Sequence, residues 1–210
     1  MFRRLALITA GPTREHLDPV RFLSNASSGR QGVALAEEAA LRSWRVALVH
    51  GPLEVAVPPG VDAYPVVSAA EMLSRCLELH PSSAVVVGAA AVSDYRAAAP
   101  LAQKRKHDDR PWQLDLVPTP DILATLGTRK AGRIHAGFAL ETDELLARAG
   151  EKLRRKHLDW IVANEPAAIG AEHGEYVLLG ARGERRAIGR VSKRDLARAL
   201  WDAIEDSTGR

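Results

Sequence analysis

Continuous apolar runs alternate along the chain with stretches in which apolar residues recur every three or four positions. Short apolar runs bounded by Gly, Pro or polar residues predict strands, and the periodic stretches predict helices. The runs that predict strands are Leu5–Ala10, Arg45–Gly51, Val61–Val67, Ala84–Ala90, Arg133–Leu140 and Trp160–Asn164. The stretches that predict helices are Arg30–Arg42, Ala69–Leu79, Pro120–Gly127 and Asp143–His157. This alternation is typical of a mostly parallel sheet covered by helices on both faces.

The C-terminal part of the chain has a different pattern. Two alternating runs, Glu175–Ala181 and Arg185–Arg190, are separated by Arg-Gly-Glu and predict an antiparallel hairpin. Ser192 followed by Asp195 is a capping-box pattern that predicts the start of a last helix. Because the sequence contains no internal repeat and no linker, we predict one domain over residues 1–210. Its expected fold is α/β and Rossmann-like, with helices on both faces of the sheet and a C-terminal antiparallel hairpin.

Composition narrows the function classes. The chain is 46% hydrophobic and 26% charged, which is ordinary for a globular protein. A net charge of +3 favours an anionic ligand but falls well short of indicating a nucleic-acid partner, and 5% aromatic residues argue against base-stacking platforms, so we expect no nucleic-acid partner. Cys76 is the single cysteine, so an internal disulfide is excluded. The apolar run near Met1 is too short for a signal peptide or a membrane span, so we expect a cytoplasmic protein.

The stretch Phe22–Gly32, FLSNASSGRQG, runs directly into a predicted helix. One interpretation is ordinary turn chemistry, with Gly32 serving close packing of the helix on the sheet. The other is a phosphate cradle, because Gly29 would free backbone amides at a helix N-terminus and Ser27 would add a hydroxyl donor. The G-x-G-x-x-G fingerprint of dinucleotide-binding folds is missing after the first strand.

Two groups of basic residues also allow two interpretations each. Lys152 and Lys156 fall on the same face of the predicted helix as the apolar Leu145 and Ala149. Their stems would then either extend past the core to water or bring two ammonium groups to a bound polyanion. The basic segment Gln103–Asp109 would be either a solvated loop or a mobile lid over a triphosphate.

Seven motifs occur in a fixed order and carry a family resemblance. They are LITAGPTREHLDPVRFLSNASSGRQG, AAAVSDYR, KRK, PDIL, GFALET, EKLRRKHLDWIVANE and SKRDLA. Over essentially its whole length the chain resembles the phosphopantothenoylcysteine synthetase family, the ligase of coenzyme A biosynthesis. The resemblance implies that a nucleotide, CTP in typical bacterial members and ATP in eukaryotic relatives, activates the carboxylate of 4′-phosphopantothenate as an acyl-nucleotide. Pyrophosphate leaves, and the amine of cysteine then attacks to give the amide and CMP.

The resemblance also implies roles for individual residues. It implies catalytic roles for Asn25, whose amide would donate to developing negative charge, for Lys104 in acyl-nucleotide formation, and for Arg21, which would pair with a phosphate or carboxylate. The nucleotide-binding residues that it implies are Gly11, Ser27, Gly29, Gly32, Ala90, Ala91, Asp94, Lys104, Lys106, Pro120, Asp121, Ile122, Phe138, Lys152, Lys156 and Asn164. Ala90 and Ala91 are expected to end a buried strand, where small side chains let a nucleotide lie close to the backbone.

Cofactors and partners follow from the same resemblance. Mg²⁺ is expected together with the triphosphate, and no His, Asp or Glu cluster has the spacing of a dedicated protein metal site. Because Met1 opens almost directly onto the first strand, we expect neither a flavin-dependent decarboxylase half nor FMN. A separate decarboxylase remains a possible partner, and a homodimer is expected, with the segment 97–116 as a flap or partner-facing element. Trp44 is expected to be more exposed than the core residues Trp160 and Trp201.

Alternatives to this function remain open at the level of sequence. His107 and Thr119 replace a Lys and an Asn of the usual family pattern, which leaves the choice between CTP and ATP open. The same changes allow a homologue that binds nucleotide without catalysing ligation. A short-chain oxidoreductase is disfavoured, since the chain lacks both the glycine fingerprint and a Tyr-x-x-x-Lys pair.

Overall fold

Strands and helices alternate in the structure, a computed structural model that describes residues 4–140, 143–164 and 173–207. The strands are β1 (Leu5–Ala10), β2 (Arg14–His16), β3 (Phe22–Ser24), β4 (Arg45–His50), β5 (Asp62–Pro65), β6 (Ser83–Gly88), β7 (Tyr95–Ala97), β8 (Leu116–Pro118), β9 (Ile134–Leu140), β10 (Trp160–Asn164), β11 (His173–Gly180) and β12 (Arg185–Ser192). The helices are α1 (Arg30–Leu41), α2 (Ala69–Leu79), α3 (Ile122–Gly127), α4 (Leu145–Arg155) and α5 (Lys193–Ser207). Glu141 and Thr142 of the GFALET motif lie outside the described residues.

The central sheet has eight strands in the order β12-β11-β10-β9-β6-β1-β4-β5. From β10 to β5 in this order, each strand is parallel to the next one. β11 and β12 extend the sheet as an antiparallel hairpin beyond β10. The predicted α/β fold, with its mostly parallel sheet and C-terminal hairpin, is therefore confirmed. In the described part of the chain, no helix is both long and apolar enough to cross a bilayer.

Helices cover both faces of the sheet, and each face has its own apolar core. α1 and α5 pack on one face, where Trp44 and Trp201 lie with ring centroids 5.3 Å apart. α2 and α3 pack on the other face around Met72 and Leu126. The expectation that Trp44 is exposed was wrong, because its side chain packs in this core with only 3% of its surface exposed. Its indole N–H reaches the carboxylate of Glu205 at the rim, 3.1 Å away.

Several predicted boundaries shift for local reasons. β6 ends at Gly88, so Ala90 and Ala91 lie in the loop after the strand rather than at its end. The neighbouring β1 ends at Ala10, and Gly11 then turns the chain with φ at +72°, so the pairing beyond it is reduced to an isolated parallel bridge between Pro12 and Ala91. α3 begins after Asp121, whose carboxylate caps it by accepting from the Ala124 amide at 3.1 Å.

Two short hairpins lie outside the central sheet, in segments that the sequence pattern did not assign to strands. β2 pairs with β3 and β7 pairs with β8, with three residues in each strand. β2 also lies against β7, so the two hairpins form one small unit beside the main sheet. Runs of three residues are too short to show a period of two, which is why the sequence does not reveal them.

A buried histidine pair lies at the amino ends of β6 and β9. The Nε2 atoms of His80 and His135 are 3.2 Å apart, so one ring donates and the other accepts. Burial, together with nearby Arg133, lowers the pKa of both rings, and that of His135 falls to about 3. Among the described residues, Nδ1 of His135 is buried without a hydrogen-bond partner. The fold therefore requires both rings to be neutral.

This requirement predicts a loss of stability in acid. Below pH 6.5, the ordinary histidine value, the unfolded chain binds protons that the folded His135, with a pKa near 3, does not bind. The free energy of unfolding should therefore be greatest above pH 6.5. His135 alone should lower it by about 1.4 kcal/mol for each pH unit between 6.5 and 3. Urea unfolding at pH 7.5, 5.5 and 4.5 measures this slope.

The matched variants are His135→Gln and His107→Gln. His135→Gln should flatten the slope, whereas His107→Gln, at an exposed position, should leave it unchanged. If the unfolding free energies of the wild type and His135→Gln changed equally with pH, the claim that His80 and His135 are both neutral would be contradicted.

Candidate active site

A cleft of about 590 Å³ opens where the parallel strands end. The chain leaves β1 toward β4 and β5 on one side, and it returns to β6 on the other side of β1. In open α/β sheets the crevice at such a change of direction, outside the carboxyl ends of the strands, is the usual ligand site. Thr9 of β1 and Gly88 of β6 lie in the floor of the cleft.

Most of the residues that the sequence analysis singled out line this one cleft. They are Asn25, Ser27, Gly29, Gly32, Ala90, Ala91, Asp94, Pro120, Asp121, Ile122, Phe138, Lys152, Lys156 and Asn164. They come from segments that are distant in sequence and that the carboxyl edge of the sheet brings together.

The N-terminus of α1 forms one wall of the cleft. Gly29 is the N-cap residue with φ at +76°, and no side chain caps the helix there. Helix geometry leaves the amides of the first turn without intrahelical acceptors, and the helix dipole favours an anion at this end. The first turn of α1 also contains no acidic residue that would compete for these amides. This wall is suited to bind a phosphate group.

Gly32 explains how α1 comes so close to the sheet. A Cβ atom at this position would lie 2.3 Å from the Cβ of Ala10 and 3.1 Å from the carbonyl oxygen of Thr9. Only glycine permits that approach, because both neighbours belong to the buried strand β1. The two interpretations of the Gly29–Gly32 stretch are thus compatible: Gly32 serves packing, and the packing places the free amides of α1 in the cleft.

Asn25 is fixed against the opposite loop. Its Nδ2 donates to the carbonyl oxygens of Ala91 at 3.2 Å and Val92 at 3.0 Å. The expectation that the amide N–H donates to a ligand therefore differs from the observed geometry, since both amide hydrogens meet backbone oxygens. Because Asn25 lines the cleft and its Nδ2 is engaged, Oδ1 is the side-chain atom left to accept from a ligand.

Two lysines at the end of α4 also line the cleft. Lys156, the C-cap residue of α4, lies 2.9 Å through Nζ from Asp121 Oδ1, and its side chain is 12% exposed. Lys152 lines the cleft one turn earlier. Burial opposes ionisation of Asp121, but the hydrogen bonds from Lys156 and the Ala124 amide hold the pKa of its carboxyl below the usual value. Of the two interpretations of these lysines, the structure favours convergence on the cleft.

Four of the expected residues lie outside the cleft lining. Gly11 turns the chain after β1, where a Cβ would lie 2.7 Å from the Pro52 carbonyl oxygen. Arg21 is bound within the chain, since its Nη1 lies 2.6 Å from Asp18 Oδ2. Lys104 and Lys106 are exposed in the loop between β7 and β8.

Sequence reasoning missed Lys193, the first residue of α5, which lines the cleft together with Arg30. Burial and the charge of Arg30 lower the pKa of its ammonium group. The carbonyl oxygen of Lys193 accepts from Gln31 Nε2 at 3.2 Å, a contact that joins the starts of α1 and α5. The SKRDLA motif contained the residue, but only the packing of α5 on α1 places it in the cleft.

Oxygen ligands are present in the cleft, but a preformed metal cage is not. Among residues 4–140, 143–164 and 173–207, no three His, Cys, Asp or Glu side chains are grouped so that they would hold a metal ion. Asp94 is an exposed carboxylate in the lining. A cation that arrives with a phosphorylated ligand would find an acceptor there.

Substitution of Gly32 by alanine should disturb both packing and binding. The added Cβ forces α1 away from β1, so we expect a loss of about 1–3 kcal/mol in unfolding free energy and weaker binding of inorganic pyrophosphate. Urea unfolding and calorimetric titration with pyrophosphate measure the two effects. Gly150→Ala is the control, because its Cβ would meet only Arg154 Nη1 at an ordinary 3.6 Å. Equal stability and equal affinity in Gly32→Ala and the wild type would refute this account of the wall.

Known proteins are similar to this chain in both sequence and fold. Residues 2–207 match the family described as DNA/pantothenate metabolism flavoprotein C-terminal domain. The chain is 40% identical over 203 residues to the coenzyme A biosynthesis bifunctional protein CoaBC of Bacillus subtilis, a match that covers 94% of this chain and 50% of that protein. The CoaBC of Thermococcus kodakarensis is 39% identical over 206 residues, covering 95% of this chain and 50% of that relative.

A solved structure agrees with these relatives. The crystal structure of the C-terminal domain of a CoaBC protein superposes with a TM-score of 0.86 at 35% identity, covering 98% of this chain and 96% of that one. The chain spans about half the length of the curated relatives that it matches. It belongs to the DNA/pantothenate metabolism flavoprotein C-terminal domain family, the phosphopantothenoylcysteine synthetase domain of CoaBC proteins.

Proposed function

We propose that this chain joins 4′-phosphopantothenate to L-cysteine through an acyl-nucleotide, with CTP as the activating nucleotide. The observation that carries the proposal is the cleft itself, which is lined both by the uncapped N-terminus of α1 and by Lys152 and Lys156. A triphosphate carries several negative charges, and backbone amides on one side with ammonium groups on the other suit such a ligand. Family membership supports the same reaction.

The chemistry proceeds in two displacements. In the first, a carboxylate oxygen of 4′-phosphopantothenate attacks the α-phosphorus of CTP, and the bond to the bridging oxygen breaks to release pyrophosphate. In the second, the neutral amine of cysteine attacks the activated carbonyl carbon, CMP leaves with the bonding electrons, and the amine loses a proton. Activation is needed because a carboxylate and an amine at neutral pH form an unreactive ion pair.

The protein contributes position and charge to these steps, with no covalent enzyme intermediate. Charge that develops on the leaving pyrophosphate meets Lys152, Arg30 and Lys193, which all line the cleft. Asn25 is held by the Ala91 and Val92 carbonyls, so its Oδ1 is fixed where it accepts a hydrogen bond from a reacting group. Fixing these groups before the reaction reduces the entropic cost of bringing the reactants together.

Mg²⁺ fits this cleft as a companion of the nucleotide. Asp94 provides a carboxylate oxygen in the lining, which is the ligand type that Mg²⁺ prefers. When bound, Mg²⁺ would offset the negative charge of the phosphates, most of its ligands being phosphate oxygens and water. CTP is proposed ahead of ATP on the family resemblance. The chain departs from the family pattern at His107 and Thr119, and Thr119 lines the cleft.

Pyrophosphate release tests the proposal. With 4′-phosphopantothenate, cysteine and Mg²⁺, we expect release with CTP to exceed that with ATP, and a coupled assay for pyrophosphate measures it. Asn25→Asp should lower the rate, since a carboxylate would face two backbone carbonyl oxygens and the side chain would move. Calorimetric binding of CTP without any pyrophosphate release would instead identify a homologue that only binds nucleotide. An unchanged rate in Asn25→Asp would remove Asn25 from the site.

We also propose that the two short hairpins form the interface of a homodimer. Together with the loops at their tips they expose a group of large apolar side chains: Val20, Phe22, Tyr95, Leu101, Leu114 and Leu116. The two hairpins that carry them touch through β2 and β7, and a second copy of the chain would bury these side chains.

A charge placed on this patch should break the dimer. Phe22 is 39% exposed on β3, and Phe22→Glu would put a carboxylate into the apolar contact. Sedimentation velocity should show the wild type at twice the monomer mass and the variant as a monomer at micromolar concentration. Leu41→Glu is the control, because Leu41 is 75% exposed at the end of α1. A Phe22→Glu protein that still sediments as a dimer would overturn this interface.

A further inference from the structure

One turn supports two parts of the molecule that the proposed reaction needs. The turn Leu17–Arg21 joins β2 to β3, and β3 leads directly to Asn25. The same turn holds the loop between β7 and β8, because the Leu101 amide donates to the Leu17 carbonyl oxygen at 2.8 Å. The segment that carries Asn25 and the loop between β7 and β8 are therefore both attached to this turn.

Asp18 is the centre of that support. Its carboxylate is 1% exposed, and its two oxygens have different partners. Oδ1 accepts from the backbone amides of Val20 and Arg21, both at 2.8 Å, and so builds the turn itself. Oδ2 accepts from Arg21 Nη1 at 2.6 Å and from the Arg105 amide at 3.3 Å, and so reaches across to the loop.

Arg21 and Trp112 complete the attachment of the loop. Arg21 Nη1 also donates to the Arg105 carbonyl oxygen at 3.1 Å, so both backbone polar groups of Arg105 are held by the turn. The guanidinium carbons of Arg21 and Arg105 lie 5.7 Å and 5.2 Å from the ring centroid of Trp112. Burial opposes ionisation of Asp18, but three backbone amides and the Arg21 guanidinium keep its pKa at about 2. The carboxylate is therefore charged at neutral pH.

The attachment fixes Arg105 and thereby its two neighbours. Lys104 and Lys106 flank Arg105 and are exposed, whereas Arg105 itself is half-buried. The hairpin that carries this loop stands on the rim of the cleft, where the Thr119 amide donates to the Asp94 carbonyl oxygen at 2.9 Å and both residues line the cleft. The placement of the two ammonium groups relative to the cleft thus depends on the contacts of one buried carboxylate.

We propose that Asp18 is a positioning residue that fixes the Lys104–Lys106 segment relative to the Asn25 side of the cleft, so that both ammonium groups are held for the anionic substrates. The kinetic part of this inference rests on the proposed function, whereas the structural part does not. Asp18 acts through the loop and does not itself touch a substrate.

Asp18→Asn separates the two tasks of the carboxylate. An asparagine keeps Oδ1 for the Val20 and Arg21 amides, so the turn is retained. Its Nδ2 would then face Arg21 Nη1 and the Arg105 amide, donor against donor, and the link to the loop would be lost. We expect trypsin to cleave after Lys104, Arg105 and Lys106 about tenfold faster than in the wild type. In the ligation assay kcat should fall about tenfold with KM for cysteine unchanged.

Asp108→Asn is the matched control. It also removes one carboxylate charge, but Asp108 lies in the loop between β7 and β8 itself, is exposed, and contacts only the Arg105 side chain at 3.3 Å and the Arg110 amide at 3.2 Å, so it makes no link to the turn. Its cleavage rate and kcat should stay at wild-type values. Circular dichroism of the whole protein should show Asp18→Asn fully folded at the assay temperature, which distinguishes loop release from unfolding.

The outcomes separate this inference from the proposed function. If the wild type releases no pyrophosphate, the ligase proposal fails, while the proteolysis rates still decide whether Asp18 holds the loop. A cleavage rate in Asp18→Asn equal to that of Asp108→Asn would overturn the attachment. Faster cleavage with an unchanged kcat, or a fall in kcat matched by Asp108→Asn, would overturn the positioning role.

Discussion

The close contact of α1 with β1 at Gly32 is the constraint on which the cleft depends. A side chain at this position would overlap Ala10 by more than an ångström, so the helix can approach the strand only because Cβ is missing. The approach brings the first turn of α1 against the carboxyl end of β1. The helix amides and the carboxyl edge of the sheet then bound the same space, and a phosphate-binding wall results from packing alone.

Carboxylates hold the basic residues of the molecule in place around this space. Asp121 orients Lys156 while it caps α3, and Asp18 orients Arg21 while it builds a turn. Each carboxylate satisfies backbone amides and a cation at once, so the position of the cation is tied to the local fold. A cation fixed in this way loses little entropy when an anionic ligand arrives, which is the physical advantage of preorganised charge.

The position of α5 depends on a similar arrangement on the outer face. The guanidinium of Arg42, next to the end of α1, contacts the carboxylates of Glu38, Asp202 and Glu205 at 2.6–2.9 Å. Two of these acids belong to α5, so the ion pairs lock α5 onto α1 in one register. That register places Lys193 beside Arg30 in the cleft. The Arg42 ion pairs, although distant from the cleft, therefore help to place the Lys193 side chain in it.

Local pattern and chain order determined a large part of this protein. The apolar runs predicted β1 and β10 to the residue, the periodic stretch Ala69–Leu79 predicted α2 to the residue, and the parallel sheet placed strand-end residues such as Asn164 at one edge. These features follow from periodicity and capping, which act over a few residues. Tertiary structure alone decided that Lys193 joins the cleft, that Arg21 reaches Arg105, and that the Ala91 and Val92 carbonyls hold Asn25. Each of these depends on contacts between segments far apart in sequence, and a local pattern carries no information about such contacts.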